Sequence, residues 1–151
     1  MTGTRVLLLA LGASLIAGSA SAAPLCDKLG FAGLLAKCNR GEEVHLTLAS
    51  GKPVYDGAGP VMLQSGAYYK LIITADGSAE LGLVGPSFFR AIWMNEIVID
   101  DIEIRPMAVD SIEFDDEGTA ELSFIAIKPG THELRIPGSK GEDQRVVFQI
   151  Q

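Results

Sequence analysis

Few side chains in this sequence could do metal or acid–base chemistry. The borderline and soft donors are two histidines, His45 and His132, two cysteines, Cys26 and Cys38, and four methionines, Met1, Met62, Met94 and Met107. Imidazole and thioether suit copper, but a copper carrier normally gathers them as Met-x-Met or sets them beside histidines. Here the methionines stand singly, which reads as core filling. On a strand His132 shares a face with Leu134 and Ile136, directing it toward the core or its rim, whereas His45 shares the polar face with Thr47. Oxygen donors are more plentiful: Asp100, Asp101, Glu103, Asp110, Glu113, Asp115, Asp116 and Glu117 crowd residues 100–117. A hard cation such as calcium needs about six to eight oxygens converging on one point, and no Asp-x-Asp-x-Asp-Gly loop occurs. The candidate metal ligands are therefore Asp100, Asp101, Glu103 and His132, with copper through His132, His45 and methionines as the other form of the same idea. There is no nucleophile elbow, no His-Glu-x-x-His and no phosphate loop. Two histidines also leave little room for imidazole acid–base catalysis, so the expected role is non-enzymatic binding.

The densest aromatic stretch is "GPSFFRAIWMN", with Phe88, Phe89 and Trp93 around Arg90. Read as a strand, it puts Phe88 and Arg90 on one face and Phe89 and Trp93 on the other. Aromatics and arginine dominate protein interfaces, so Phe88, Phe89, Arg90 and Trp93 are the candidate partner-binding residues. The competing reading is that two sheets and the N-terminal segment cover both faces.

These residues need a scaffold and a compartment. The opening "MTGTRVLLLALGASLIAGSASA" has a positive Arg5, an apolar run from Val6 to Ile16 and a small-residue Ala20-Ser21-Ala22 site. This is the pattern of a secretory signal peptide over residues 1–22, and its apolar run is too short to be retained across a bilayer. The expectation is a secreted, periplasmic domain over residues 23–151, with no membrane insertion after cleavage. Without Arg5, the 12 basic residues fall by one against 19 acidic ones, for a net charge of about −8. That field repels a phosphate backbone and excludes nucleic acid as a partner. It suits cations or a basic protein partner, and it also serves plain solubility.

Cys26 and Cys38 are the only cysteines, and no Cys-x-x-Cys is present. An oxidising compartment favours pairing, but "DKLGFAGLLAK" between them has helical composition. One straight helix would hold the two positions roughly 18 Å apart, whereas bridged Cα atoms sit within about 7 Å. Either the helix is short and turns back at Gly30 or Gly33, or there is no bridge. A bridge would close a loop worth about 3 kcal/mol.

From Glu43 onward the pattern is β. "VHLTLA" sets Val44, Leu46 and Leu48 on one face, and "AYYKLIITADG" does the same with Tyr69, Leu71 and Ile73. "AELGLVG", "SFFRAIW", "EIVIDDIEI", "AVDSIEF", "TAELSFIAI", "HELRI" and "RVVFQI" follow, punctuated by Asp76-Gly77, Gly85-Pro86, Glu117-Gly118 and Pro129-Gly130. Many short strands at such spacing predict an all-β sandwich or barrel in one domain. In "EIVIDDIEI" the pair Ile97/Ile99 is out of phase with Ile102/Ile104, which implies a bulge or tight bend at Asp100-Asp101. Adjacent carboxylates there are a site candidate, or an acidic edge that blocks aggregation.

The stretch from Ile112 to Gly141, with "EFDDEGTAELSFIAIKPGTHEL" at its heart, resembles the C-terminal part of the cupredoxins, the blue-copper family of Greek-key β-sandwiches. The resemblance implies that fold, with a short N-terminal helical segment added here. The family supplies a cysteine, a histidine and often a methionine from the loop before its last strand. The corresponding positions here fall near Leu134 or Ile136 for the cysteine and at Ser139 for the methionine, in "GSKG". No histidine lies between His45 and His132. A type 1 site needs two imidazoles and a thiolate in one plane, so no type 1 copper is expected.

Overall fold

The computed structural model describes residues 24–151; the leader expected over residues 1–22 lies outside the described residues. Ten strands follow one another: β1 (Val44–Leu48), β2 (Val61–Leu63), β3 (Tyr68–Ala75), β4 (Leu81–Val84), β5 (Ile92–Ile99), β6 (Ile102–Ile104), β7 (Ser111–Phe114), β8 (Gly118–Ala126), β9 (Gly130–Arg135) and β10 (Arg145–Ile150). One helical turn, α1 (Pro86–Phe89), precedes β5. The strands form two five-stranded sheets, in the order β1-β3-β8-β5-β6 and β2-β10-β9-β4-β7. β1 with β3 and β2 with β10 run parallel, and the remaining pairs are antiparallel. Neighbours β3 and β8 are joined only after the chain has visited the other sheet, which is a Greek-key path.

Alternation along strands such as β1 and β10 makes the sheets amphipathic, and packing their apolar faces together removes those faces from water. Val44, Leu46 and Leu48 of β1 are buried, as are Tyr69, Leu71 and Ile73 of β3 and Ala120, Leu122 and Phe124 of β8. Leu83, Leu134, Val146, Phe148 and Ile150 answer from the facing sheet. The short β2 is the strand that the sequence reading missed; three residues are too few to show a period.

One expectation about the strands needs correction, and one pair of alternatives is resolved. Ser87–Trp93 is not one strand, because Pro86 starts a helical turn and β5 begins only at Ile92. Proline has its φ preset for the first helical position and no N–H to lose there. Gly85 before it cannot be replaced freely, since a Cβ would collide with the Glu133 carbonyl and the Leu134 side chain. The phase break in "EIVIDDIEI" is a tight bend and not a bulge: β5 and β6 form a hairpin whose two turn residues, Asp100 and Asp101, have φ of 46° and 66°. The register irregularity of β5 lies elsewhere, between Met94 and Glu96.

The N-terminal segment is stapled by the Cys26–Cys38 disulfide, with Cα atoms 5.9 Å apart. The intervening residues reverse in 3-10 turns over Gly30–Leu35 and Lys37–Asn39, and Gly33 breaks the first with a φ of 57° that glycine adopts without steric cost. Asn39 then anchors the segment. Its fully buried amide accepts from the Leu25 N–H and donates to the Leu34 and Gly66 carbonyls, each at 2.8 Å. The next residue, Arg40, stacks its guanidinium over the Tyr68 ring at 5.1 Å.

Candidate functional site

The corner where α1 turns into β5 is held rigidly. The Phe89 N–H donates to the Gly85 carbonyl and the Ala91 N–H to the Phe88 carbonyl, while the Ala91 carbonyl accepts from both Ile127 and Lys128 at 2.9 Å. This bracing sends the aromatic residues of "SFFRAIW" to different places. Phe88 drops into the sandwich at 0 % exposure, its ring 4.3 Å from Phe148, 5.5 Å from Phe124 and 5.7 Å from Phe89. It links the two sheets and has no surface for a partner, so its expected docking role is corrected. Phe89 is half-buried, and Arg90 and Trp93 stay exposed, Trp93 at 48 %. The helical turn separates them: four residues in a strand would alternate, whereas here the chain changes period between Phe89 and Ile92.

Phe89, Arg90, Ile92, Trp93 and Met94 form one wall of a groove of about 600 Å³, and the β6–β7 connection from Pro106 to Asp110 forms the other. Met107 is fully exposed at its rim. Arg90 has no ion-pair partner among the described residues, unlike Arg105, Arg135 and Arg145. An unpaired guanidinium beside a half-exposed indole is the composition found at binding hot spots. Nothing in the sequence ties the connection carrying Met107 to this site, because only the fold brings it alongside β5.

The loop over Ile136–Gly141, where blue-copper proteins place ligands, is occupied by other work. Ser139 donates its hydroxyl to the Ile136 carbonyl at 2.7 Å, closing a turn. Arg135 reaches the Gly141 carbonyl at 3.0 Å and the Glu133 carboxylate at 3.2 Å, and Arg145 holds Glu133 at 2.7 Å as well as Glu142. Arg145 first, then Arg135, keeps the Glu133 carboxyl below its ordinary pKa. Leu134 is fully buried in the core. With leucine, isoleucine and serine at the ligand positions, these residues do not fit a type 1 copper ion, which argues against blue-copper oxidase chemistry.

The remaining candidates separate. His132 points inward from β9, with Nε2 donating to the Lys128 carbonyl at 3.1 Å and Nδ1 buried without a hydrogen-bond partner. His45 lies exposed on β1 in the other sheet, 3.9 Å from Glu43. Asp100 and Asp101 shape the hairpin turn, and Glu103 pairs with Arg105 at 3.1 Å. Among the described residues these do not converge with His132 on one point. The acidic group that does converge is Glu80, Glu113 and Asp115, with ligand atoms within 4.8 Å of one another. The β4–β7 register produces it, setting Gly82 opposite Glu113 and leaving the carboxylates on the exposed side. A hydrogen bond with Glu113, then repulsion from Glu113 and Asp115, raises the Glu80 pKa. Nothing local in the sequence marks Glu80; its neighbours in space, Glu113 in β7 and Asp115 just after it, lie more than thirty residues along the chain. No helix among the described residues is long and apolar enough to cross a membrane.

No protein-family model and no curated protein matches the sequence. Solved structures do resemble the fold. A multi-copper oxidase from Pseudomonas Thermotolerans matches with a TM-score of 0.53 and 12 % identity, over 73 % of this chain and 29 % of its own. The Blue Copper Oxidase from Nitrosomonas europaea matches with a TM-score of 0.50 and 10 % identity, over 72 % of this chain and 43 % of its own. The chain thus spans less than half the length of either. Likeness at such identity speaks to architecture alone, and with the strand order above it makes this fold a cupredoxin-like β-sandwich without the type 1 copper ligands.

Proposed function

We propose that this chain is a periplasmic, non-enzymatic accessory protein that docks a protein partner through the groove at Arg90 and Trp93. The observation that carries the reading is the exposed, unpaired Arg90 beside the half-exposed Trp93, both held on a braced corner above a groove of about 600 Å³. Rigid display matters because a preformed surface loses little entropy on binding. The groove mixes apolar area from Trp93, Met94 and Met107 with one cation and the carboxylate of Asp110. It therefore suits a partner that inserts an apolar side chain flanked by an acid. The test is capture of partners from periplasmic extract by the wild-type protein, compared with Arg90→Glu and Trp93→Ala variants of equal stability. Loss of the same captured protein in both variants supports the groove; unchanged capture removes it.

A second reading is favoured by the convergent carboxylates: a metal-handling protein that takes a hard cation at Glu80, Glu113 and Asp115. Three exposed carboxylates supply fewer oxygens than calcium normally takes, so water would complete the shell. Titration of the protein with Ca²⁺ and a trivalent ion, against a competing chelator, tests it. Stoichiometric binding lost in Glu113→Gln supports the site, and binding unaffected by that substitution sends the search elsewhere, beginning with Asp100 and Asp101.

A further inference from the structure

The outermost strand of the first sheet, β6, is short and exposed along its whole length. Its geometry follows from the turn before it. Asp100 and Asp101 both have positive φ, which makes a two-residue turn of the I′ type. In such a hairpin the residues flanking the turn, here the paired Ile99 and Ile102, exchange both main-chain hydrogen bonds. Ile102 and Ile104 accordingly direct their N–H and C=O groups at β5. Glu103 and Arg105 direct theirs at the open edge.

The side chains sort in the same way. Ile102 and Ile104 pair with Ile99 and Ile97, and Ile97 is buried, so all four isoleucines share the core-facing side of the sheet. At this corner the second sheet no longer covers that side, leaving Ile102 63 % and Ile104 43 % exposed. On the opposite side Arg105 lies between Glu96, at 3.2 Å, and Glu103, at 3.1 Å.

We propose that β6 is a homodimerisation edge, on which the partner is a second copy of this chain laid antiparallel with the two-fold axis through Ile104. In that register Glu103 stands opposite Arg105 of the second copy, and Arg105 opposite its Glu103. These are the two residues whose main-chain groups face outward, so each opposed pair exchanges two hydrogen bonds. Pro106 has the parity of Ile104, and its missing N–H falls on the side away from the open edge. The two copies of Ile104 meet on the axis, burying apolar area that the monomer leaves in water. Moving the axis to Glu103 would set carboxylate against carboxylate, which cross-strand pairing disfavours. The Glu-x-Arg alternation thus matches its own antiparallel copy while giving the edge a charged, aggregation-resistant surface toward other strands. The inference is independent of the groove at Arg90 and Trp93.

The experiment is sedimentation equilibrium of the purified protein from about 1 μM to about 1 mM, with Glu103→Arg, Arg105→Glu and an equimolar mixture of the two variants. Wild type associates to a dimer. Each variant alone opposes like charges twice and dimerises at least about tenfold more weakly. The mixture restores association, because the arginines of one variant then face the glutamates of the other, and this rescue also shows that both variants are folded. A wild type that stays monomeric throughout, a dimer indifferent to either variant, or a mixture no tighter than its components would each overturn the proposal.

Discussion

Phe88→Ala and Trp93→Ala, five residues apart in one aromatic stretch, should have opposite consequences. Phe88 is fully buried between the sheets, with three aromatic rings within 5.7 Å. Truncating a buried phenylalanine costs about 3–5 kcal/mol, from lost transfer free energy plus the cavity left behind. Part of that sum is the aromatic pairing itself, about 0.5–1.5 kcal/mol per pair. The surrounding residues cannot collapse easily, because Phe124 and Phe148 belong to different hydrogen-bonded sheets. Trp93 keeps 48 % of its surface in water, and its removal should cost about 1 kcal/mol or less, the range of surface and half-buried sites. Urea unfolding followed by tryptophan fluorescence is unsuitable, since Trp93 is the only tryptophan; far-UV circular dichroism serves both variants. With the denaturant slope unchanged, Phe88→Ala should lose a large part of a typical total of about 5–15 kcal/mol. Trp93→Ala should unfold near the wild-type midpoint but lose partner capture. A Phe88→Ala variant within about 1 kcal/mol of wild type, or a Trp93→Ala variant that is the less stable of the two, would refute the division of this stretch into core and surface.

Three further outcomes follow from the same structure. Asp100→Asn with Asp101→Gly should stabilise the protein by about 0.5–1 kcal/mol, because Asn-Gly suits a turn with two positive φ angles; a loss of stability in chemical denaturation would contradict the turn assignment. Asn39→Ala should cost about 2–3 kcal/mol, since it leaves the Leu34 and Gly66 carbonyls and the Leu25 N–H without their partner, and hydrogen exchange should show the N-terminal segment opening first. Glu133 has a depressed folded-state pKa, caused by Arg145 and then Arg135. Its stabilising contribution is therefore complete above the ordinary Glu value of 4.5 and is lost as pH falls through the lower folded value. Thermal melts from neutral to acid pH should show a shallower decline in Glu133→Gln than in wild type.

Much of this is legible in the sequence. Residues 44–48 and 68–75 alternate because one face of each strand lies against the core, so the period of two marks them as strands and identifies the buried side. The phase break at Asp100-Asp101 was equally visible, since a hairpin reverses which parity points inward. The reading of "SFFRAIW" as a strand went wrong because phenylalanine and tryptophan favour strands locally, while Gly85-Pro86, the one cue to a helical turn, also marks ordinary loops. The missing copper ligands were readable too, because chemistry at a metal depends on residue identity, and leucine, isoleucine and serine cannot substitute for thiolate, imidazole and thioether.

By itself, then, the sequence determined an all-β sandwich or barrel, the pairing partners available to Cys26 and Cys38, and the lack of a type 1 donor set, since each depends on local period or on residue type. Tertiary structure alone decided that Phe88 is core while Arg90 and Trp93 are surface, that Pro106–Asp110 walls their groove, and that Glu80 meets Glu113 and Asp115. Those outcomes depend on which strands become neighbours and in what register. Such pairings between distant segments are chosen by the packing of the whole chain, and no short stretch of residues contains them.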